Sequence, residues 1–162
     1  MRALFVEPGL QIRPLAEAFI LNASRAQHVD EVIEPALRDG RFVLCDRFSD
    51  ATLAYQGYGR GVELALLRSL AHVATRGLEP DLTLLIDVSV ALSQARVAAR
   101  TDAGGAGADR LEREDAAFHE RVRAGYLTLA RAEPRIVTIN GSQPPDAVLL
   151  AASRALASKF GL

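Results

Sequence analysis

Asp46 and Arg47 follow directly on the apolar run Phe42-Val43-Leu44-Cys45, so an acid and a base stand where a buried segment would stop. An arginine in such a place offers a rigid, planar fork of donors that matches phosphate oxygens. Residues 49–61 then gather hydroxyls, Tyr55, Gln56 and three glycines, with Arg60 between two of them. That is a composition for contacting a polar ligand rather than for filling a core. Farther along, Arg96, Arg100 and Arg110 flank the glycine-rich stretch TDAGGAGA at residues 101–108. A mobile lid closing on phosphates could be built this way, and a slack surface loop with no special reason for its glycines is the plain alternative. For the Asp46-Arg47 pair the plain alternative is an incidental surface ion pair on a solvated loop, since such pairs are common and contribute little. His28, His72 and His119 fall on expected helices and read as packing or surface residues, so the candidate chemistry is that of arginines.

The elements that must position these residues alternate between strands and helices. Residues 42–45, after the turn residues Asp39-Gly40, read as a buried strand of the kind found in parallel sheets covered on both faces. Ligands in open α/β sheets lie beyond the carboxyl ends of such strands. Before it, Leu15, Phe19, Ala23, Ala26, Val29, Ile33 and Leu37 recur at three or four, as in a long amphipathic helix. Pro14 suits its first turn, Gly40 its end, and Pro35 inside it removes a hydrogen bond and predicts a kink. Leu21, Arg25 and His28 share a second face, which presents Arg25 apart from the apolar stripe. Leu66, Leu67, Leu70, Val73 and Ala74 mark another helix, stopped by Gly77. Its apolar surface fits either a partner subunit or burial on two sides within its own domain. Residues 82–88 form a second expected strand, and Ser89 is a good N-cap for a helix over residues 90–100. Phe118, Val122, Tyr126 and Leu129 define a helix ended by Pro134. Residues 135–140 form a third strand, and Pro145-Asp146 open a last helix with Val148, Leu149, Ala152 and Leu156 facing inward. Strands alternating with helices predict a parallel sheet in an α/β fold.

The 162 residues fit a single domain, and no repeat or linker divides them. The hydrophobic fraction of 49% and charged fraction of 24% are ordinary for a globular protein. A formal net charge of −1 gives no basic footprint for nucleic acid or an anionic membrane. The first residues, broken by Glu7 and Pro8, do not read as a secretory signal, and no apolar run approaches the ~20 residues that span a bilayer. Cys45 is the one cysteine. It fits a reducing, cytoplasmic setting and reads as a small core residue.

The run Asp46-Arg47-Phe48, with Ala54-Tyr55-Gln56-Gly57 and Gly59-Arg60-Gly61, resembles the hallmark segment of bacterial thymidylate kinases. Residues 23–29 (ASRAQHV) and Pro80-Asp81-Leu82-Thr83 resemble the same family in the same order, and the likeness runs from about residue 12 to about residue 157. The resemblance implies a nucleoside-monophosphate-kinase-like α/β fold and phosphoryl transfer from ATP, with Mg2+, to dTMP. A soluble homodimer is also implied. Carried over by position, Arg47 would hold the acceptor phosphate, and Asp46 would orient it or a magnesium-bound water. Arg25 would bond the thymine edge, and Thr52, Tyr55 and Gln56 would line base and sugar. Arg96, Arg100 and Arg110 would belong to the lid, with Arg100 and Arg110 reaching the ATP phosphates. Asn140-Gly141 would lie near adenine. No protein ligand set for a metal is implied.

Two positions depart from the family pattern. Leu21 stands where many members stack a phenylalanine on thymine, and Asn140 where an aspartate is common. A larger departure is that no G-x-x-x-x-G-K-[ST] string occurs, and Lys159, the one lysine, is too far along the chain to serve. The expectation is therefore a family member whose first strand, phosphate loop and second strand are absent, which would leave phosphotransfer by this chain doubtful. A second reading is another deoxynucleoside or nucleotide kinase of the same fold. A third is a non-catalytic nucleotide-binding or dimerising remnant.

Overall fold

The computed structural model describes residues 11–104 and 109–162. The first residues, with Glu7 and Pro8, and the centre of the glycine-rich stretch, residues 105–108, lie outside the described residues. The chain falls into two compact units, residues 1–79 and 80–162, although no linker-like composition marks the boundary.

In the first unit, helix α1 runs Pro14–His28, passes into a π-helical turn at Val29–Ile33, and continues as α2 at Glu34–Arg38. The expected break thus takes the form of a π turn just before Pro35. A proline lacks the N–H for an i→i−4 bond, and its ring crowds the carbonyl four residues back. Widening the preceding turn relieves that crowding, and the Glu34 N–H bonds the Val29 carbonyl five residues back.

The face that α1 buries is not the apolar stripe read from the sequence. Leu15 is 42% and Phe19 52% exposed, whereas Glu17, Ala18 and Asn22 are buried, with Val29 and Ile33 continuing inward. Buried polar side chains need hydrogen-bond partners: Asn22 finds them within α1, at the Ala18 carbonyl and Arg25, whereas Glu17 is met by Gln56 and Arg60, which two further elements bring in. These are α3 at Ser49–Thr52 and a second π turn at Leu53–Gly59. Residues 49–61 are therefore largely helical, with Asp50, Thr52, Leu53, Ala54 and Gln56 buried. Helix α4, Leu64–Thr75, packs against α1 and buries Leu67, Ala71 and Thr75. It ends in the left-handed pair Arg76 (φ 52°) and Gly77 (φ 79°).

Residues 41–45 do not form the expected strand. They carry no ladder pairing, and Phe42 and Leu44 are 73% and 95% exposed. An apolar run becomes a strand only where a neighbour satisfies its backbone, and no neighbouring strand pairs with it among the described residues.

The second unit contains a two-stranded parallel sheet, β1 (Thr83–Asp87) and β2 (Ile136–Asn140), paired in register from Thr83↔Ile136 to Asp87↔Asn140. Helix α5, Val90–Asp102, starts with Ser89 accepting from the Leu92 N–H at 3.3 Å. Helix α6, Ala116–Ala132, is capped by Asp115 and buries Phe118, Val122 and Leu129. Helix α7, Pro145–Phe160, buries no residue fully. Val148 and Ala152 are half-buried, but Leu149 and Leu156, expected to face inward, are exposed. Small residues on its inner side allow the contact with β2 without drawing the leucines in. Among the described residues no helix is long and apolar enough to cross a membrane.

Candidate functional site

The best-defined cluster lies in the first unit around Arg25. Its Nη1 donates to Asn22 Oδ1 at 2.8 Å, and its Nη2 donates to the Phe48 carbonyl at 3.1 Å and to Thr52 Oγ1 at 2.9 Å. The guanidinium also sits 5.5 Å from the centre of the Phe48 ring. Those bonds draw on three of the five N–H groups a guanidinium offers, so donors remain for a ligand. Burial lowers the Arg25 pKa from its ordinary value, against the opposing influence of Cys45 and Asp50. Leu21 lies one turn before Arg25 on α1 and is half-buried.

Arg47 is exposed and adopts φ 67°, in the left-handed region that is uncommon for a residue with a side chain. Its guanidinium lies 5.2 Å from the Tyr55 ring centre, within cation–π reach. Such a conformation costs on the order of 1–3 kcal/mol and persists where surroundings over-determine it, often at functional positions. Asp46 beside it is exposed. The Cys45 thiol donates to the Arg47 carbonyl at 3.5 Å. Burial pushes its pKa up, Arg25 opposes the rise and Asp46 adds to it. Cys45 is half-buried, so it is not the core residue its position suggested.

Gln56 is fully buried, and its Nε2 donates to Glu17 at 3.0 Å. Arg60 approaches the other oxygen of the same carboxylate at 3.4 Å. Sequence reasoning had not assigned a role to Glu17 or Asn22. The available signal was the face containing Leu21 and Arg25, because Glu17 lies one further turn back along it.

The second unit holds the remaining candidates. Arg96 donates to the Gly141 carbonyl at 3.0 Å, and the Gly141 N–H bonds the Asp87 carbonyl at 2.8 Å. A Cβ on Gly141 would meet Ile86 Cγ2 at 2.7 Å and Val88 Cγ1 at 2.8 Å, so this close strand-end approach requires glycine. Asn140 Oδ1 accepts from the Ser142 N–H at 2.9 Å. Arg100 pairs with Glu112 at 2.8 Å, and that hydrogen bond raises its pKa. Asp109 and Glu112 exchange backbone-to-side-chain bonds, a local capping arrangement that orders the approach to Arg110. Arg110 is half-buried. A bidentate pair not anticipated from sequence joins Arg123 to Asp87 at the end of β1, with distances of 2.7 and 2.9 Å. The hydrogen bond to Asp87 raises the Arg123 pKa. Among the described residues no group of three metal-ligating side chains forms.

A parallel α/β unit and an arginine-centred polar cluster fit the class of α/β proteins that bind phosphorylated ligands. Comparison with known proteins makes the assignment specific: residues 2–151 match the family model described as thymidylate kinase, and the chain belongs to that family. It is 52% identical over 156 residues to a thymidylate kinase of Desulfovibrio desulfuricans, covering 93% of this chain and 71% of that relative. It is 51% identical over 145 residues to one from Citrifermentans bemidjiense, covering 88% and 64%. With one from Deinococcus radiodurans the identity is 47% over 147 residues, covering 90% and 69%. The chain therefore spans about two thirds of the length of these curated relatives.

Proposed function

We propose that this chain carries the acceptor-binding part of a thymidylate kinase, an enzyme that moves the γ-phosphoryl group of ATP onto dTMP to give dTDP and ADP. The observation that carries the reading is the Arg25 cluster beside the Tyr55-stacked Arg47, in a chain that belongs to this family. Arg25 offers its remaining donors to a carbonyl on the base edge, with Leu21 covering the ring by contact. Arg47 takes the acceptor phosphate with its guanidinium fork, and Asp46 orients it. Thr52 and Tyr55 shape the base and sugar side, with Gln56 behind them.

The acceptor is an already ionised phosphate oxygen, so no general base is needed. Catalysis then rests on alignment and on neutralising charge spread over the transferring oxygens. Magnesium enters with the donor as MgATP. Arg100 and Arg110, with Arg96, act from the lid side, for which Arg100 must exchange Glu112 for phosphate. Asn140 and Gly141 serve the adenine side. The remaining part of the reading is that enclosing the β- and γ-phosphates requires a phosphate loop that these 162 residues do not supply. A cytoplasmic homodimer using the exposed apolar face of α4 completes it, with Val73 77% exposed there.

Calorimetric titration tests the acceptor assignment. dTMP binds more tightly than dUMP or dCMP, and equal affinity for the three, or none, would overturn it.

A further inference from the structure

We propose that Glu17 is a positioning residue for the acceptor site, acting through Gln56 and Arg60 on the π turn that carries Tyr55. The inference rests on the acceptor-site reading above and adds a residue that contacts no substrate itself.

A carboxylate with no solvent exposure is costly unless it is paired and hydrogen-bonded. An apolar side chain would fill the same space more cheaply, so fold stability alone is a poor reason for Glu17. What the carboxylate supplies is direction. Its two oxygens receive Gln56 Nε2 at 3.0 Å and Arg60 Nη2 at 3.4 Å. Gln56 lies inside the second π turn, and Arg60 is the residue directly after it. The negative charge also sets the Gln56 amide with nitrogen toward Glu17, and Gln56 Oε1 is buried without a hydrogen-bond partner among the described residues. Reversing the amide would aim oxygen at carboxylate.

A π turn is a rare and irregular form of helix, found mostly as single turns at functional sites. Here the turn is closed by backbone bonds from Arg60 to Tyr55, Gly61 to Gly57 and Val62 to Gln56, and Glu17 tethers it from outside. Successive helical residues diverge by roughly 100°. Anchoring Gln56 inward therefore fixes the direction in which Tyr55 leaves the turn, toward the Arg47 guanidinium. Glu17 sits on the same helix as Arg25, so one carboxylate ties together the wall that meets the base and the wall that meets the phosphate.

The test uses the 162-residue chain and the variants Glu17→Gln, Glu17→Asp and Arg60→Lys. Two readouts are taken: the calorimetric Kd for dTMP, and hydrogen exchange of the amides in residues 53–61, with those of α5 as the control. Glu17→Gln, which keeps shape and removes charge, raises the Kd for dTMP about tenfold or more, speeds exchange in residues 53–61 about tenfold, and leaves exchange in α5 unchanged. Glu17→Asp recovers part of both effects. If Glu17→Gln does not fold, Arg60→Lys reports the same two changes at smaller size. An unchanged Kd, an equal acceleration of exchange in α5, or exchange in residues 53–61 that matches the parent, would overturn the proposal. Failure of the parent to bind dTMP would instead overturn the acceptor-site reading, while the exchange measurement still decides whether Glu17 holds the turn.

Discussion

Arg47 combines an exposed guanidinium, a stacked tyrosine and a left-handed backbone, and its removal is the most direct test at the scale of one residue. Arg47→Ala weakens dTMP binding by about 1.5–3 kcal/mol, the scale of a charge-assisted hydrogen bond, measured by calorimetry. Cys45, two residues earlier, gives a pH-dependent prediction. Its thiol pKa is raised above the ordinary value of 9.0, chiefly by burial, so the folded state holds the proton more strongly than the unfolded chain. The associated stability is fully present below pH 9, the unfolded value, and is lost as pH rises through the higher folded value. The thermal midpoint of the parent should thus fall more steeply above pH 9 than that of Cys45→Ser, and a disulfide reagent should react slowly at pH 7. At this scale the sequence pointed to Asp46 and Arg47 by residue type and to Arg25 and Thr52 by the family resemblance, and the structure joins the last two by a hydrogen bond. Glu17 was not legible, because a glutamate on an amphipathic helix ordinarily faces solvent and only its partners 39 and 43 positions away reveal its burial.

Elements were legible where local pattern and tertiary context agree. The two strands of the second unit, the Ser89 cap and the ends of α4 and α6 follow from periodicity and capping chemistry. Residues 42–45 did not, since alternation and apolarity describe what a strand needs but cannot provide the neighbour that satisfies its backbone. The π turns also escaped, because hydrophobic spacing of three or four does not distinguish an α turn from a wider one. Two glycines give a paired prediction here. A methyl on Gly57 would meet Leu64 Cδ2 at 2.5 Å and Leu67 Cδ1 at 3.2 Å, both ends of flexible side chains. Gly57→Ala should therefore cost about 1 kcal/mol or less, at the low end of overpacking penalties. At Gly141 the obstacles are branched Ile86 and Val88 near their own backbones and the Asp87 carbonyl at 3.1 Å. Gly141→Ala should cost about 1–3 kcal/mol. Chemical denaturation of both variants checks the order, and equal losses would contradict it.

For the whole molecule, the proposed acceptor residues Leu21, Arg25, Arg47, Thr52, Tyr55 and Gln56 all fall in one compact unit, and Arg96, Arg100, Arg110, Asn140 and Gly141 fall in the other. The family was readable from ordered short motifs across nearly the entire chain, whereas the division into units was not, because it depends on contacts rather than composition. A polypeptide of these 162 residues should show negligible ATP:dTMP phosphotransfer in a coupled assay. Loss of even one preorganised donor around a developing charge costs about 10²–10³ in rate, and no G-x-x-x-x-G-K-[ST] string occurs in these residues. Robust turnover that Arg47→Ala abolishes would refute this. If α4 forms a dimer contact, Val73→Glu should lower the sedimenting mass by half without unfolding the chain.

The π turn before Pro35 also has a genetic meaning. Relative to an α-helix such a turn holds one extra residue, and here the extra residue and the proline compensate for each other. Deleting one position from Val29–Ile33 alone would leave Pro35 inside a regular helix, at about 3 kcal/mol. Replacing Pro35 by alanine alone would leave the surplus residue in place without the ring that called for it. The two changes together would yield an uninterrupted helix whose flanking faces keep their directions. The pair is therefore expected to be epistatic: a one-residue deletion and the loss of the proline in this stretch should be accepted in company more readily than singly.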